Sequence, residues 1–191
     1  MSPRTEQQNQ VLRDESRAKI ITAALHLFGA NGYERTTVRQ IAEAAGVAQG
    51  LLYRHFVSKD DLLRVIFQQS VQHVFASFAL AEQGDPSRSP IARIIMAAFA
   101  VLREHRDFWR LSYGVRMQQS VLAALGPELT DWTASIRTTL EQALRHSGIT
   151  QPKIEAAILF ATIDGVAQHY VLDPEHYPLD TIFEALTLRY P

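Results

Sequence analysis

The stretch TTVRQIAEAAGVAQGLLYRHF, residues 36–56, concentrates side chains suited to phosphate and to base edges. Arg39 and Arg54 carry guanidinium forks that match the O6/N7 edge of guanine or a phosphate. Gln49 has the donor–acceptor pair that fits adenine N6 and N7. Thr36 or Thr37 stands where a helix would start, and Thr37 can offer a hydroxyl or its backbone N–H to a phosphate. Gly50 has no Cβ, so its backbone can approach a ligand closely. Leu51 cannot donate to phosphate, and either contacts a thymine methyl or packs inward.

Such side chains act together only if a short rod holds them on one face. Leu52 and Phe56 lie four residues apart and, with Val47, can anchor a helix over about 48–55 from behind. A helix of that length is about 12 Å long, and the major groove is about 12 Å wide. Upstream, Ile20, Ile21, Ala24, Leu25, Leu27 and Phe28 recur at helical spacing from about Ser16, and Asn31-Gly32 stops them. Val38, Ile41, Ala42 and Ala45 share a face of the next helix, which ends at Gly46. A fourth helix begins after Ser58, with Asp61 as capping partner, and runs to about Leu80. Helix, tight glycine turn and short helix are the layout of a helix-turn-helix.

Beyond AEQGDPSRSP (81–90), apolar helical segments are expected near 91–105, 107–124, 128–147, 152–172 and 178–190. Punctuation at Gly126-Pro127, Gly148, Pro152 and 173–178 separates them. No strand-like alternation competes, so the fold class is all-α. The chain has 191 residues, 47% of them hydrophobic, enough for a substantial core. Net charge is −1 but polarised: residues 1–59 carry 8 Lys/Arg against 5 Asp/Glu, and residues 60–191 carry 11 against 15. The basic head is the part that can approach phosphate.

Enzymatic chemistry finds little support. Cys is absent, which excludes disulfides and thiol catalysis. Histidines at 26, 55, 73, 105, 146, 169 and 176 show no HxxxH spacing, and no nucleophile elbow or phosphate loop occurs. His169 and His176 flank a Pro-containing loop and are the nearest approach to a metal pair; no metal or cofactor is expected. The polar N-terminus lacks the apolar segment of a signal peptide, and no apolar run reaches the roughly 18–20 residues of a membrane span. A cytoplasmic location is expected.

The run RAKIITAALHLFGANGYERTTVRQIAEAAGVAQGLLYRHFVSKDDLL, about a quarter of the chain, resembles the DNA-binding domain of the tetracycline-repressor (TetR) family of bacterial regulators. The resemblance rests on Gly32, Thr36-Thr37-Val38, Ile41-Ala42, Ala45-Gly46-Val47, Gly50, Leu52-Tyr53, His55-Phe56, Ser58-Lys59 and Leu62. It implies a flexible tail (1–15, holding Arg4 and Arg13), a helix-turn-helix domain (16–60), and a helical ligand-binding and dimerisation domain (61–191) joined to it by a long helix. It further implies that Tyr53, His55 and Lys59 touch backbone phosphates, and it puts Leu51 where relatives often carry Ser or Thr. The implied partners are a double-stranded DNA operator, a small-molecule effector and a second copy of the chain.

For the effector, Phe99, Trp109, Tyr113, Met117, Trp132 and Phe160 are candidate apolar lining, while Arg116 and Asp164 can orient polar groups. For the dimer, Ala157, Ala161 and Gly165 form an i, i+4 ridge, and Leu179, Ile182, Phe183 and Leu186 form a second stripe. Each of these also has a plain reading as core of the chain's own fold. The function expected is repression relieved by a small apolar or aromatic ligand; the alternative keeps the DNA-binding head and gives the body a protein partner.

Overall fold

The computed structural model describes residues 6–190, which form nine α-helices and, among those residues, no strand. The head comprises α1 (Glu6–Asn31), α2 (Val38–Ala45) and α3 (Gln49–His55); α4 (Lys59–Glu82) leads into the body. The body contains α5 (Pro90–Glu104), α6 (Arg106–Val115), α7 (Gln119–His146), α8 (Pro152–Leu172) and α9 (Leu179–Arg189).

Local signals explain most of the boundaries. Gly32 takes a left-handed φ of 85°, which ends α1, and its N–H donates to the Phe28 carbonyl at 3.0 Å. Thr37 caps α2 through a reciprocal box: its hydroxyl accepts from the Gln40 N–H, and the Gln40 side chain accepts from the Thr37 N–H. Gly46, with φ of 66°, closes α2, and the following Val47 N–H reaches back to the Ala42 carbonyl at 3.0 Å. Ser58 caps α4, whose first turn carries Asp60 and Asp61 against the helix dipole. Asp61 also accepts from the Val57 N–H, fixing the turn between α3 and α4.

Two expectations are corrected. The expected tail is helical from Glu6 onward, well before Ser16; these residues are exposed and bury no apolar face, so periodicity gives no sign of them. A pair such as Gln10–Asp14 at 3.0 Å supports that turn instead. Arg4 lies outside the described residues. Second, Gly126-Pro127 does not break the chain: α7 runs through it, and the break falls at 116–118. Proline removes one backbone donor and crowds the preceding turn, and here Arg64 braces the weakened turn from α4. Its Nη2 donates to the Ala124 carbonyl at 3.0 Å and its Nε to Glu128 at 3.1 Å.

Buried side chains form two clusters. One unites Ile20, Phe28, Ile41, Leu52, Phe56, Leu62 and Ile66 of the head and early α4 with Phe108, Leu111 and Val115 of α6 and Val121 and Leu125 of α7. The other fills the body between α4, α5, α7, α8 and α9, with Phe99, Leu140 and Leu159 among its most buried members. Trp109 and Trp132 pack against both. The head core therefore extends past residue 60 into the larger half, through α6 lying on α1.

Candidate nucleic-acid interface and effector cavity

Leu52 and Phe56, each 1% exposed, pin α3 to the head core. This turns Gln49, Gly50, Tyr53 and Arg54 to solvent, with Leu51 half-buried at the edge. Tyr53 is 51% exposed. Arg39 projects from α2 and is held only by a loose 3.8 Å pair with Glu43. Thr37 is exposed at the start of α2, with its hydroxyl and its N–H both bonded to Gln40 in the capping box.

Three neighbours are engaged inside the protein. Thr36 is 1% exposed, and its hydroxyl bonds the carbonyls of Gly32 (2.8 Å) and Leu27 (3.2 Å). Its side chain cannot reach DNA, which corrects its candidacy: burial by α1 separates it from its identical neighbour Thr37. Lys59 donates to the Tyr33 and Thr36 carbonyls at 3.0 and 3.2 Å and lies 4.3 Å from the Tyr33 ring centroid. It thereby fastens the start of α4 to the loop between α1 and α2. His55 Nε2 lies 2.9 Å from the Ser16 hydroxyl. Burial, and then the charges of Arg13, Arg17 and Arg54, push the imidazole pKa below its ordinary value. The reading of the sequence missed Ser16, Arg17 (5.4 Å from the Phe56 ring centroid) and the buried Tyr33, whose hydroxyl bonds Asp60. All three act across helices, so no local pattern marks them.

In the body, a cavity of about 80 Å³ is lined by Trp109, Tyr113, Arg116, Trp132, Phe160 and Asp164, with Val74 and Phe78 from α4 and further aliphatics. Arg116 grips Asp164 with both nitrogens, at 3.0 and 2.8 Å, and its guanidinium lies 4.5 Å from the Tyr113 ring centroid. The Tyr113 hydroxyl reaches the Asp164 carboxylate and carbonyl, each at 3.1 Å. The hydrogen bonds to Asp164 raise the Arg116 pKa, and burial followed by the Asp164 charge raises that of Tyr113. Asp164 is thus neutralised in place rather than left as a bare charge among apolar groups.

Two cavity candidates are corrected. Phe99 is fully buried in the body core, packed on Phe183 with centroids 5.2 Å apart, and does not line the cavity. Met117 is 80% exposed in the link between α6 and α7. Their residue types suited a pocket, but the helical phase of Phe99 turns it into the core and the turn at 116–118 turns Met117 to solvent.

On α8, Ala157 and Ala161 are exposed and Gly165 half-buried, continuing a ridge with the exposed Ile154, Ile158 and Leu172. The α9 stripe is different. Leu179 is 5% exposed, and Ile182, Phe183 and Leu186 pack on the body core. Leu179 is thus closed to a partner, a correction to its reading as interface, while Ile182, Phe183 and Leu186 pack on the core and stay partly exposed; Leu188 is the large apolar residue that α9 leaves exposed. Among the described residues no three His, Asp or Glu side chains converge as metal ligands. His169 stacks on Tyr177 and His176 bonds Asp173 at 2.9 Å. No described helix is long and apolar enough to cross a membrane.

Residues 20–66 match the family model described as bacterial regulatory proteins of the tetR family. The transcriptional regulator HbdR of Aromatoleum sp. (strain CIB) is 31% identical over 161 residues, covering 80% of this chain and 68% of HbdR. Among solved structures, a transcriptional regulator from Rhodococcus sp. Rha1 aligns with a TM-score of 0.76 at 24% identity, over 91% of this chain and 93% of that one. A SmeT–triclosan complex aligns with a TM-score of 0.69 at 23% identity, over 91% and 90%. The chain belongs to the TetR family of bacterial transcriptional regulators.

Proposed function

We propose that the protein is a dimeric repressor that leaves a palindromic operator when a small apolar or aromatic molecule enters the cavity between α4, α5, α6, α7 and α8. The observation that carries this reading is the position of Trp109 and Trp132, which line the cavity and pack on both the head core and the body core. The cavity, at about 80 Å³, is well below the roughly 300–1,000 Å³ of ordinary ligand pockets. A ligand of useful size must therefore displace lining side chains. Through Val74, Phe78 and the two tryptophans that displacement is passed to α4, α6 and the head. The triclosan bound by SmeT is a ligand of suitable class in a related fold.

On the DNA side, Gln49 and Arg54 read base edges, while Thr37, Arg39 and Tyr53 position the head on the backbone. One short helix covers too few base pairs, so two copies are required, docked on half-sites about 34 Å apart. The exposed α8 ridge is the surface that joins them. A shift of α4 changes the spacing of the two heads, and coupling of about 1–3 kcal/mol is enough for a working switch. Acting on the bacterial chromosome, the protein works in the cytoplasm.

Selection of bound duplexes from a random pool tests the reading: a two-fold symmetric motif is expected. Gln49→Ala and Arg54→Ala then lose roughly 1–3 kcal/mol at individual base pairs, whereas Tyr53→Phe weakens all sequences alike. An unstructured pool after selection would refute the DNA-binding reading.

A further inference from the structure

The cavity carries a chemical bias in its hydrogen-bonding groups. Its one carboxylate is already bonded: Asp164 Oδ1 takes bonds from Arg116 and Tyr113, and Oδ2 takes one from Arg116. The Thr133 hydroxyl donates to its own helix, at the Leu129 carbonyl, 2.8 Å away. Two donors are not engaged. The indole nitrogens of Trp109 and Trp132 have no hydrogen-bond partner in the protein. Each side chain lines the cavity but the nitrogen itself is covered, so an acceptor reaches it only when the lining moves aside, as any ligand larger than the cavity requires. A buried donor left unsatisfied is destabilising, so such groups in a binding cavity mark where a ligand acceptor belongs.

Charge and shape narrow the ligand further. Arg116 and Asp164 cancel one another, so neither an anion nor a cation would find a free counter-charge, and desolvating an unpaired ion in an apolar cavity is costly. The Trp109 and Trp132 rings are inclined by only 25°, and Trp109 and Tyr113 by 27°, a near-parallel series that a flat ring system can extend.

Resting on the reading of this cavity as the effector site, we propose that the effector is a neutral, planar aromatic molecule bearing a carbonyl or comparable acceptor oxygen, held by the indole N–H groups of Trp109 and Trp132. The hydrocarbon body fills the apolar lining, and the oxygen selects it from other lipophiles, because an analogue without it leaves both donors unpaired.

Trp109 and Trp132 are the chain's only two tryptophans and both line this cavity, so tryptophan emission responds to its filling. The test titrates the full-length protein with indanone, indane and protonated aminoindane, three probes of one outline, by calorimetry and tryptophan emission. Indanone is expected to bind about tenfold tighter than indane, the equivalent of ~1.4 kcal/mol, and to shift the emission; aminoindane is expected to bind worst. Trp109→Phe and Trp132→Phe keep a ring and remove the donor; whatever each does to affinity overall, each should narrow the ratio of indanone to indane affinity within that variant. The wild-type ratio of ketone to hydrocarbon needs no variant to fold. Equal binding of indanone and indane would overturn the donor proposal and leave the cavity reading standing. Tightest binding by the ammonium would overturn it in favour of recognition by Asp164. Binding by none of the three would remove the proposal and the effector cavity together.

Discussion

Thr36 and Thr37 are the same residue type at adjacent positions, and their neighbours give them opposite work. The Thr36 hydroxyl is sealed between the carbonyls of Leu27 in α1 and Gly32 just past its end, while Thr37 caps α2 at the surface. Replacing Thr36 by Val keeps the shape and removes both hydrogen bonds, so denaturant titration is expected to show a loss of about 1–3 kcal/mol with little change in sequence preference on DNA. His55 makes a second residue-scale prediction. Its folded-state pKa is lowered, so just below the ordinary imidazole value the unfolded chain binds more protons than the folded one. Stability therefore rises with pH through that window and falls on acidification. Between about pH 7 and pH 5, the wild type should lose stability relative to His55→Gln; parallel curves would refute the assignment.

At the scale of elements, Arg64 is the informative side chain. It joins the first turns of α4 to the proline-weakened turn of α7, one turn before Trp132. The pair with Glu128 is substantially exposed, so its contribution to stability is small; its value lies in tying two helices to one movement. Arg64→Met is expected to leave operator affinity nearly unchanged while reducing the release caused by a cavity ligand, as measured by fluorescence anisotropy of labelled operator. The elements also show what a sequence reveals. Gly32, Gly46, Thr37 and Ser58 act within a few residues of themselves, and the head was legible from them. Pro127 misled because the brace that keeps α7 continuous comes from residue 64. Trp109, Tyr113, Arg116, Trp132, Phe160 and Asp164 stand together in the cavity as their chemistry suggested, but Phe99 had equal chemistry and is separated only by helical phase. The α9 stripe marks the limit of amphipathicity, which tells that a face is covered, not whether the chain itself or another copy covers it: Leu179 is buried by its own protomer, while Ile182, Phe183 and Leu186 stay partly open.

At the scale of the whole molecule, the exposed ridge of α8 makes the clearest demand. Ala157 and Ala161 allow close approach, and Ile154, Ile158 and Leu172 supply apolar area beside them. Ala161→Glu puts a charge where two such ridges would meet; sedimentation is expected to show a monomer with unchanged helical content and operator affinity reduced by at least about a hundredfold, a loss of ~2.7 kcal/mol. A variant still dimeric would move the interface elsewhere.

The shared core of α1, α4, α6 and the start of α7 also sets where this protein can be cut. A chimera spliced at residue 60 would strand Phe108, Leu111 and Val115 against a foreign surface. Head exchange between such regulators should succeed when matching α6 residues travel with the graft, so the unit of modularity here is discontinuous along the chain.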